Sequence, residues 1–375
     1  MRVTLVAALV LLAVSAGTAA AYPQLGLSTG NDRCTACHVA PSGGGLLNAY
    51  GRDEAGGTIS GRGDGRFAHG AVELPSWLEL GGDVRLALGG KQLEGEAPTV
   101  LAFPMQGDLY ARVVAGPVSL NITAGLNGAA RSRPAGAPPL SYAISREHHV
   151  MYEPADSALV VRAGRFFPVF GLRTQDHTAY VRRYLDQYIL EEPYALEAGW
   201  RGDAWQGHVA GFLGNPVPLT GAGPRASGAT AMIERRVPDV ATLAAQAKVA
   251  VTDEDRRYLV GGVARWWLPG PGLLAMAELD VQRQSFVGAD AGRWQLAGYA
   301  GVTKVILPGY LLGAAIQRWA PDLMLRGATR SAVELNVQVF PWAHVELHLL
   351  TRVEATGGDT TTPNLLGLLQ LHYYL

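Results

Sequence analysis

The residues best suited to chemistry lie in the run Cys34-Thr35-Ala36-Cys37-His38, which holds the only two cysteines of the 375-residue chain. Two thiols separated by two residues can form thioether bonds to the two vinyl groups of one haem. A histidine directly after the second thiol can then bind the iron as its proximal ligand. The run therefore predicts one covalently bound haem, with Cys34 and Cys37 as its attachment points and His38 as the iron ligand.

The same two cysteines allow other interpretations. In an oxidising compartment they could form a disulfide or a redox-active dithiol. A zinc site would need further Cys or His at ligand spacing, and none lies close by in the sequence. The adjacent His38 favours haem over both alternatives.

Residues 1–21, which precede this run, are predicted to form a signal peptide. Arg2 supplies a positive charge, an apolar stretch follows from Val3 to Val14, and Ala19-Ala20-Ala21 fits a cleavage site, so the mature chain would begin at Tyr22. The apolar stretch is too short to span a bilayer comfortably as an anchor. We therefore expect an exported protein.

Residues 22–75, which carry the haem run, show little regular periodicity apart from a possible short helix around Leu46–Tyr50. A segment this small has a small apolar core of its own, so the haem would supply much of it. Gly43-Gly44-Gly45 would either let the backbone pass close to the macrocycle or act as a flexible linker. Pro41 is placed to buttress His38.

Residues 76–375 follow a period of two. Between Leu78 and Leu88, apolar residues and glycine occupy the even positions, while Glu79, Asp83 and Arg85 occupy odd ones. Charged residues make up 17% of the chain, below the usual ~25%, and no apolar run is long enough for a spanning helix. These features predict a transmembrane antiparallel β-barrel with apolar residues facing lipid.

Turn sequences divide this region into about 16 strands, provided that a weak strand near Thr230–Arg236 is included. The short turns are Gly116-Pro117, Pro154-Ala155-Asp156, Gly202-Asp203, Pro238-Asp239, Pro269-Gly270-Pro271-Gly272, Pro308-Gly309 and Pro341. Longer polar links lie near 89–99, 132–144, 167–192, 214–228, 285–292, 321–327 and 355–363. Short turns on one side and long loops on the other are typical of outer-membrane barrels. The final segment, Leu365–Leu375, is similar to the closing strand of exported barrels. A soluble sandwich or propeller, with shorter strands, is the alternative.

Cys34, Cys37 and His38 resemble the haem site of c-type cytochromes, which implies haem c with a second axial ligand. A methionine often fills that role in the family, but none lies between the signal peptide and Met105. His69 is therefore the candidate distal ligand, which would give a bis-histidine haem; otherwise it is a polar loop residue. Further candidates are Met105, His148, His149 and His177. An open sixth position is also compatible with the sequence.

The stretch from Arg162 to Arg173, which contains Gly164-Arg165-Phe166-Phe167-Pro168-Val169-Phe170-Gly171, resembles a turn motif of phosphate-selective-type porins. The resemblance implies a loop that folds into the lumen. Its arginines would then line a constriction that favours anions; they are Arg162, Arg165, Arg173, Arg182 and Arg183. The alternative is that they pair with wall acids such as Glu147, Glu191 and Glu192.

Together these observations predict an electron carrier of the bacterial outer membrane rather than an enzyme. A haem on or in a porin-like barrel would pass electrons between periplasmic cytochromes and external or luminal ones. The net charge of −1 gives no basic excess for nucleic acid. The alternative function is a porin or transporter whose haem segment acts as a plug or sensor. A haem peroxidase would need distal acid–base residues, which the sequence does not place.

Overall fold

The computed structural model describes residues 33–126, 143–188, 191–214, 226–268, 270–289, 292–357 and 362–375. The predicted signal peptide lies outside these ranges. The described residues form a closed barrel of 16 antiparallel strands, each paired with its neighbours in sequence, and the first strand pairs with the last. The all-β fold class and the predicted strand number are confirmed, and the soluble sandwich is excluded.

The strands alternate regularly up and down the barrel. Their bounds are β1 (Leu78–Gln92), β2 (Thr99–Ala115), β3 (Val118–Leu126), β4 (Ala143–Tyr152), β5 (Leu159–Arg165), β6 (Tyr194–Arg201), β7 (Trp205–Leu213), β8 (Ser227–Val237), β9 (Ala241–Val251), β10 (Asp255–Leu268), β11 (Leu273–Phe286), β12 (Gly292–Leu307), β13 (Tyr310–Ala320), β14 (Arg330–Trp342), β15 (Val345–Thr356) and β16 (Asn364–Tyr374). The weak strand predicted at Thr230–Arg236 is part of β8, and the predicted closing strand is β16.

Helices are few and short. They are α1 (Cys34–Cys37), α2 (Ala49–Glu54) and α3 (Tyr180–Arg183), with a π-helical turn at Ala55–Ile59 and 3₁₀ turns at Phe67–Gly70 and Arg326–Ala328. Helix α2 begins three residues beyond the start of the helix expected around Leu46–Tyr50. Within the described ranges, no helix is long and apolar enough to cross a bilayer.

The barrel is polar inside and apolar outside. Leu109 and Val260 on the outer face are 70% and 63% exposed, whereas Glu197 and Asp280 on the inner face are each 1% exposed. This is the reverse of a soluble protein, because a surface of exposed leucine and valine is stable only against an apolar environment. The alternation seen in the sequence therefore places an apolar surface toward lipid and a polar surface toward the lumen.

The two ends of the barrel differ. Short turns close one end, which we call the short-turn end; Gly116 in the β2–β3 turn and Gly309 in the β12–β13 turn take positive φ there. Exposed aromatic side chains surround this end, as expected for a barrel at a membrane interface. They include Trp77, Trp200, Trp205, Trp266, Tyr310 and Trp342.

The link between β5 and β6 enters the barrel through its described residues 166–188 and 191–193, which we call the lumen loop. Its backbone donates hydrogen bonds to side chains of the opposite wall: Gly171 N to Gln246 Oε1 at 2.8 Å, and Leu172 N to Glu278 Oε2 at 2.7 Å. Tyr180 N donates to Gln317 Oε1 at 2.7 Å. Acceptors on several strands thus hold one loop across the lumen and satisfy its backbone amides.

Candidate functional site

Helix α1 is one turn long and places the two cysteines three residues apart, so both thiols lie on one side of the helix. His38 N donates to Cys34 O at 2.9 Å, and His38 itself has extended backbone angles. The chain therefore leaves the helix at the histidine. This arrangement brings Cys34, Cys37 and His38 to one site, while their role in holding a haem stays a prediction.

Asn48 joins the haem run to helix α2. Its Nδ2 donates to Thr35 O at 3.1 Å and to Ala36 O at 2.9 Å, while its Oδ1 accepts from Gly51 N at 2.8 Å. The first two bonds hold the carbonyls of α1, and the third caps the start of α2. Asparagine before a helix is a recognisable N-cap signal, but its second role depends on contacts that only the folded chain shows.

The loop between His38 and Leu46 returns over the cysteines in a defined conformation. Gly43, Gly44 and Gly45 have φ of 74°, 75° and 63°, in the left-handed region. A Cβ at Gly43 would lie 3.3 Å from Cys34 Sγ. The three glycines therefore form a tight turn in which Gly43 lies against the first thiol, Gly44 faces Arg173 and Gly45 faces Tyr110; their approach to a macrocycle stays a prediction.

The described N-terminal segment, residues 33–75, sits in the short-turn end of the barrel. Arg33 Nη2 donates to Asp203 O in the β6–β7 turn at 2.7 Å, and Gly61 N donates to Phe340 O at 2.9 Å. Ile59 packs in a cluster with barrel side chains, among them Phe340. The segment is thus bound to strand ends on several sides of the barrel, whereas its predicted extent of 22–75 stays a prediction.

A cavity of about 310 Å³ lies between this segment, the lumen loop and the barrel wall, and Cys34, Cys37 and His38 line it. The volume falls in the ~300–1,000 Å³ range of small-molecule and cofactor sites. Part of the wall is apolar, contributed by Leu172, Met232, Val263 and Met276, which pack together. A macrocycle attached to Cys34 and Cys37 would meet this apolar surface.

Burial determines the acidity of the two thiols. Cys34 and Cys37 are free, without a disulfide between them. Burial raises the pKa of the Cys37 thiol to about 12, with Glu54 and Cys34 adding to the effect, and burial also raises the pKa of Cys34. Redox-active dithiols usually have lowered thiol pKa values. No group of three or more metal-binding side chains occurs within the described ranges.

The His38 imidazole is poorly paired. Its Nδ1 is buried and has no hydrogen-bond partner of normal geometry in the part of the chain described. Burial and the nearby Arg173 lower the pKa of His38 to about 4, with backbone groups of Gly44 and Gly45 partly opposing them. The ring is therefore neutral near pH 7, which is the form that binds iron.

His69, the predicted distal ligand, does not line this cavity. Ala68 and His69 both have positive φ in the 3₁₀ turn, and the imidazole of His69 points to the barrel rim instead. There His69 Nε2 lies 3.2 Å from Tyr373 Oη, and its ring centroid lies 4.4 Å from that of His344. The structure therefore does not bring His69 to the cysteines.

Of the other distal candidates, only His177 lines the cavity; Met105, His148 and His149 do not. The two adjacent histidines lie within β4 rather than at its border, and His149 is buried whereas His148 contacts Tyr194. Met232 and Met276 also line the cavity, and neither was among the distal candidates predicted from the sequence. The sequence feature that could have identified them is an apolar residue at a strand position that faces the lumen.

The arginines of the porin-like motif mostly pair with acids. Arg162 Nη2 lies 2.8 Å from Glu197 Oε1, and Arg165 Nη2 lies 3.4 Å from Glu192 Oε2. Arg173 Nη2 lies 3.5 Å from Glu147 Oε1, and its Nη1 donates to Ser42 Oγ at 2.9 Å. The pairing interpretation therefore holds for these three, and Arg173 also ties the lumen loop to the N-terminal segment. Arg182 and Arg183 lack such carboxylate partners in the described ranges.

The barrel is similar to solved outer-membrane proteins. Outer-membrane-expressed OmpT of Vibrio cholerae superposes with a TM-score of 0.58 at 10% identity, covering 81% of this chain and 100% of that one. Salmonella typhi OmpF, solved with daunomycin, gives 0.59 at 9% identity, covering 80% and 97%. An anion-selective porin from Comamonas acidovorans gives 0.56 at 9%, covering 80% and 99%. At these identities the likeness shows the porin-like barrel fold. No protein-family model and no curated protein matches the chain.

Proposed function

We propose that this protein is an electron carrier of the bacterial outer membrane, with one haem c held inside a porin-like barrel. The observation that carries the proposal is that Cys34, Cys37 and His38 line one cavity within the barrel. Thioether bonds to the two cysteines would fix the macrocycle, and His38 would be the proximal iron ligand. The haem supplies a one-electron couple when bound, and the chain supplies its attachment, an apolar wall and exclusion of bulk water.

The position inside the lumen supports this function. The apolar band of a membrane barrel is about 25 Å tall, so a haem outside the mouth would leave the whole band between itself and a partner on the far side. A haem attached to α1 would instead lie beside side chains of β8 and β11, since Met232 and Met276 line the same cavity. Part of the path of the electron across the membrane would then lie within the protein.

The orientation of the barrel in the membrane follows from the position of its short-turn end. In barrels of this kind the short turns face the periplasm, so the N-terminal segment would occupy the periplasmic mouth. A periplasmic cytochrome is then the partner nearest to the haem, and an external or luminal cytochrome would exchange electrons from the long-loop end. The exposed aliphatic belt would contact outer-membrane lipid.

A second candidate is a porin whose haem-bearing segment acts as a plug or sensor. The fold likeness to porins favours it, and so does the way the N-terminal segment binds strand ends around the short-turn mouth. The two functions differ in whether electrons or solutes cross the barrel.

Proteoliposomes test the proposal directly. An oxidised soluble cytochrome is trapped inside the vesicles, and a reduced cytochrome of lower potential is added outside. Proteins are chosen as donor and acceptor because neither can pass through the lumen. We expect the trapped cytochrome to become reduced only when the barrel carries haem, with the C34S/C37S double variant as the matched control. No reduction by the haem-loaded barrel, or equal reduction with the variant, would reject electron transfer across the membrane.

The distal ligand is expected among the three candidate side chains of the cavity wall, Met232, Met276 and His177. If one of them binds the iron, the absorbance spectrum of the reduced, intact protein stays unchanged when carbon monoxide is added. Replacement of that ligand by leucine should then make the spectrum of the reduced protein shift with carbon monoxide. His69→Leu is the control and is expected to change nothing, because His69 lies outside the cavity. A shift in the intact protein would instead indicate an open sixth position.

A further inference from the structure

The cavity carries more positive charge than its own acids balance. Its side chains include three carboxylates, namely those of Asp83, Glu147 and Glu234, together with six arginines: Arg33, Arg85, Arg146, Arg173, Arg182 and Arg265. Buried cations are normally paired, because an unpaired charge is costly to remove from water. The excess therefore points to an anionic group that belongs in the cavity.

Four of the six arginines have partners that account for them. Arg146 pairs with Asp108 and Glu192, and Arg173 pairs with Glu147. Arg265 pairs with Glu234 on the neighbouring wall. Arg33 donates to the carbonyls of Gly202 and Asp203 at the mouth. Arg85 and Arg182 remain.

Arg85 and Arg182 are buried, and neither forms an ion pair within the described ranges. Each is 8% exposed, and the Nε of each is buried without a hydrogen-bond partner. Arg182 donates through Nη1 to Thr174 O. Arg85 Nη2 lies 3.2 Å from His372 Nδ1, a ring already held between Glu346 and Asp83 at 2.8 Å each. Burial and the nearby Arg173 lower the pKa of Arg182 to about 10, as expected where cations outnumber anions.

We propose that Arg85 and Arg182 form a carboxylate-binding subsite that seats the propionate edge of the haem; this inference rests on the proposed function. A haem with its vinyl groups on one edge and its propionates on the other requires thiols on one side of the cavity and cations on another. Cys34 directly follows Arg33, whose guanidinium donates to the carbonyls of Gly202 and Asp203 in the β6–β7 turn, whereas Arg85 is on β1. The strand order puts β1 five strands from β6 and six from β7, about a third of the way around the barrel. The vinyl edge at the thiols and the propionate edge at the arginines would thus face different parts of the wall.

The test is the reduction potential of the full-length, haem-loaded protein with Arg182→Gln. Loss of a cation beside the haem carboxylates disfavours the reduced form, so we expect the equilibrium constant for reduction to fall by about tenfold, which is about 59 mV for a one-electron couple. Arg183→Gln is the matched control, because Arg183 is exposed and lies 5.6 Å from the Tyr184 ring centroid. Arg182→Lys keeps the positive charge, so its reduction potential should stay close to that of the unaltered protein.

Two outcomes would overturn the subsite. One is a potential that does not change in Arg182→Gln although the haem is attached. The other is a potential of the unaltered protein that falls with added inorganic phosphate, with the fall lost in Arg182→Gln, because the arginines would then bind a free anion instead of the propionates. Failure of the proposed function is distinct from both, since purified protein without covalent haem would reject that function before any potential is measured.

Discussion

Exchange of Cys34 and Cys37 together for serine is expected to remove all covalently attached haem from the protein. The two cysteines are the only ones in the chain, so no other thiol can form a thioether. Haem staining of the purified protein on a denaturing gel measures the effect, because only covalent haem survives denaturation. Each single serine variant is expected to keep a weaker signal through its remaining thioether.

The control for this experiment is barrel assembly. Serine is close in size to cysteine, and the contacts that hold the N-terminal segment in the mouth involve other residues, such as Arg33 with Asp203 and Gly61 with Phe340. The double variant should therefore still fold into a barrel, which is seen as an altered gel mobility of the unheated sample. Haem staining that persists in the double variant would refute the assignment of the attachment site. A chain without stain in its unaltered form would refute the proposed function.

The strands could be predicted, and Cys34, Cys37 and His38 could be chosen as a candidate site, because both are local signals. Alternation with a period of two reports which face of a strand meets lipid, and it identified even the weak strand that became β8. The run Cys34-Thr35-Ala36-Cys37-His38 needs only one helical turn to bring its groups together. The signal is contained in five residues, so no tertiary contact is required to recognise it.

The sequence left open whether the haem run lies at the periplasmic mouth or inside the barrel, because the contacts that place it join residues far apart in sequence. Arg173 meets Ser42 across 131 positions, and Arg33 meets Asp203 across 170. His69 was favoured by its nearness in sequence, whereas Met232 lies almost 200 positions from Cys34 and yet lines the same cavity. The available signal was that Met232 and Met276 interrupt lumen faces otherwise rich in polar residues.

Deletion of residues 33–75, with the signal peptide retained, is expected to raise the single-channel conductance of the barrel in planar bilayers several-fold. The segment binds strand ends around the short-turn mouth, through Gly61 with Phe340, Arg62 with Ala343 and Asp64 with His344. Its removal opens that mouth, while the lumen loop still narrows the middle through its own bonds to Gln246, Glu278 and Gln317.

The same deletion separates the two candidate functions, because it removes the plug and the haem together whereas C34S/C37S removes only the haem. If the segment serves electron transfer, both variants lose electron transfer in proteoliposomes and only the deletion raises conductance. If it serves as a plug, the deletion raises conductance and the haem-loaded barrel never reduces the trapped cytochrome. An unchanged conductance after deletion would show that the lumen loop, rather than the N-terminal segment, limits the pore, and the plug function would then be rejected.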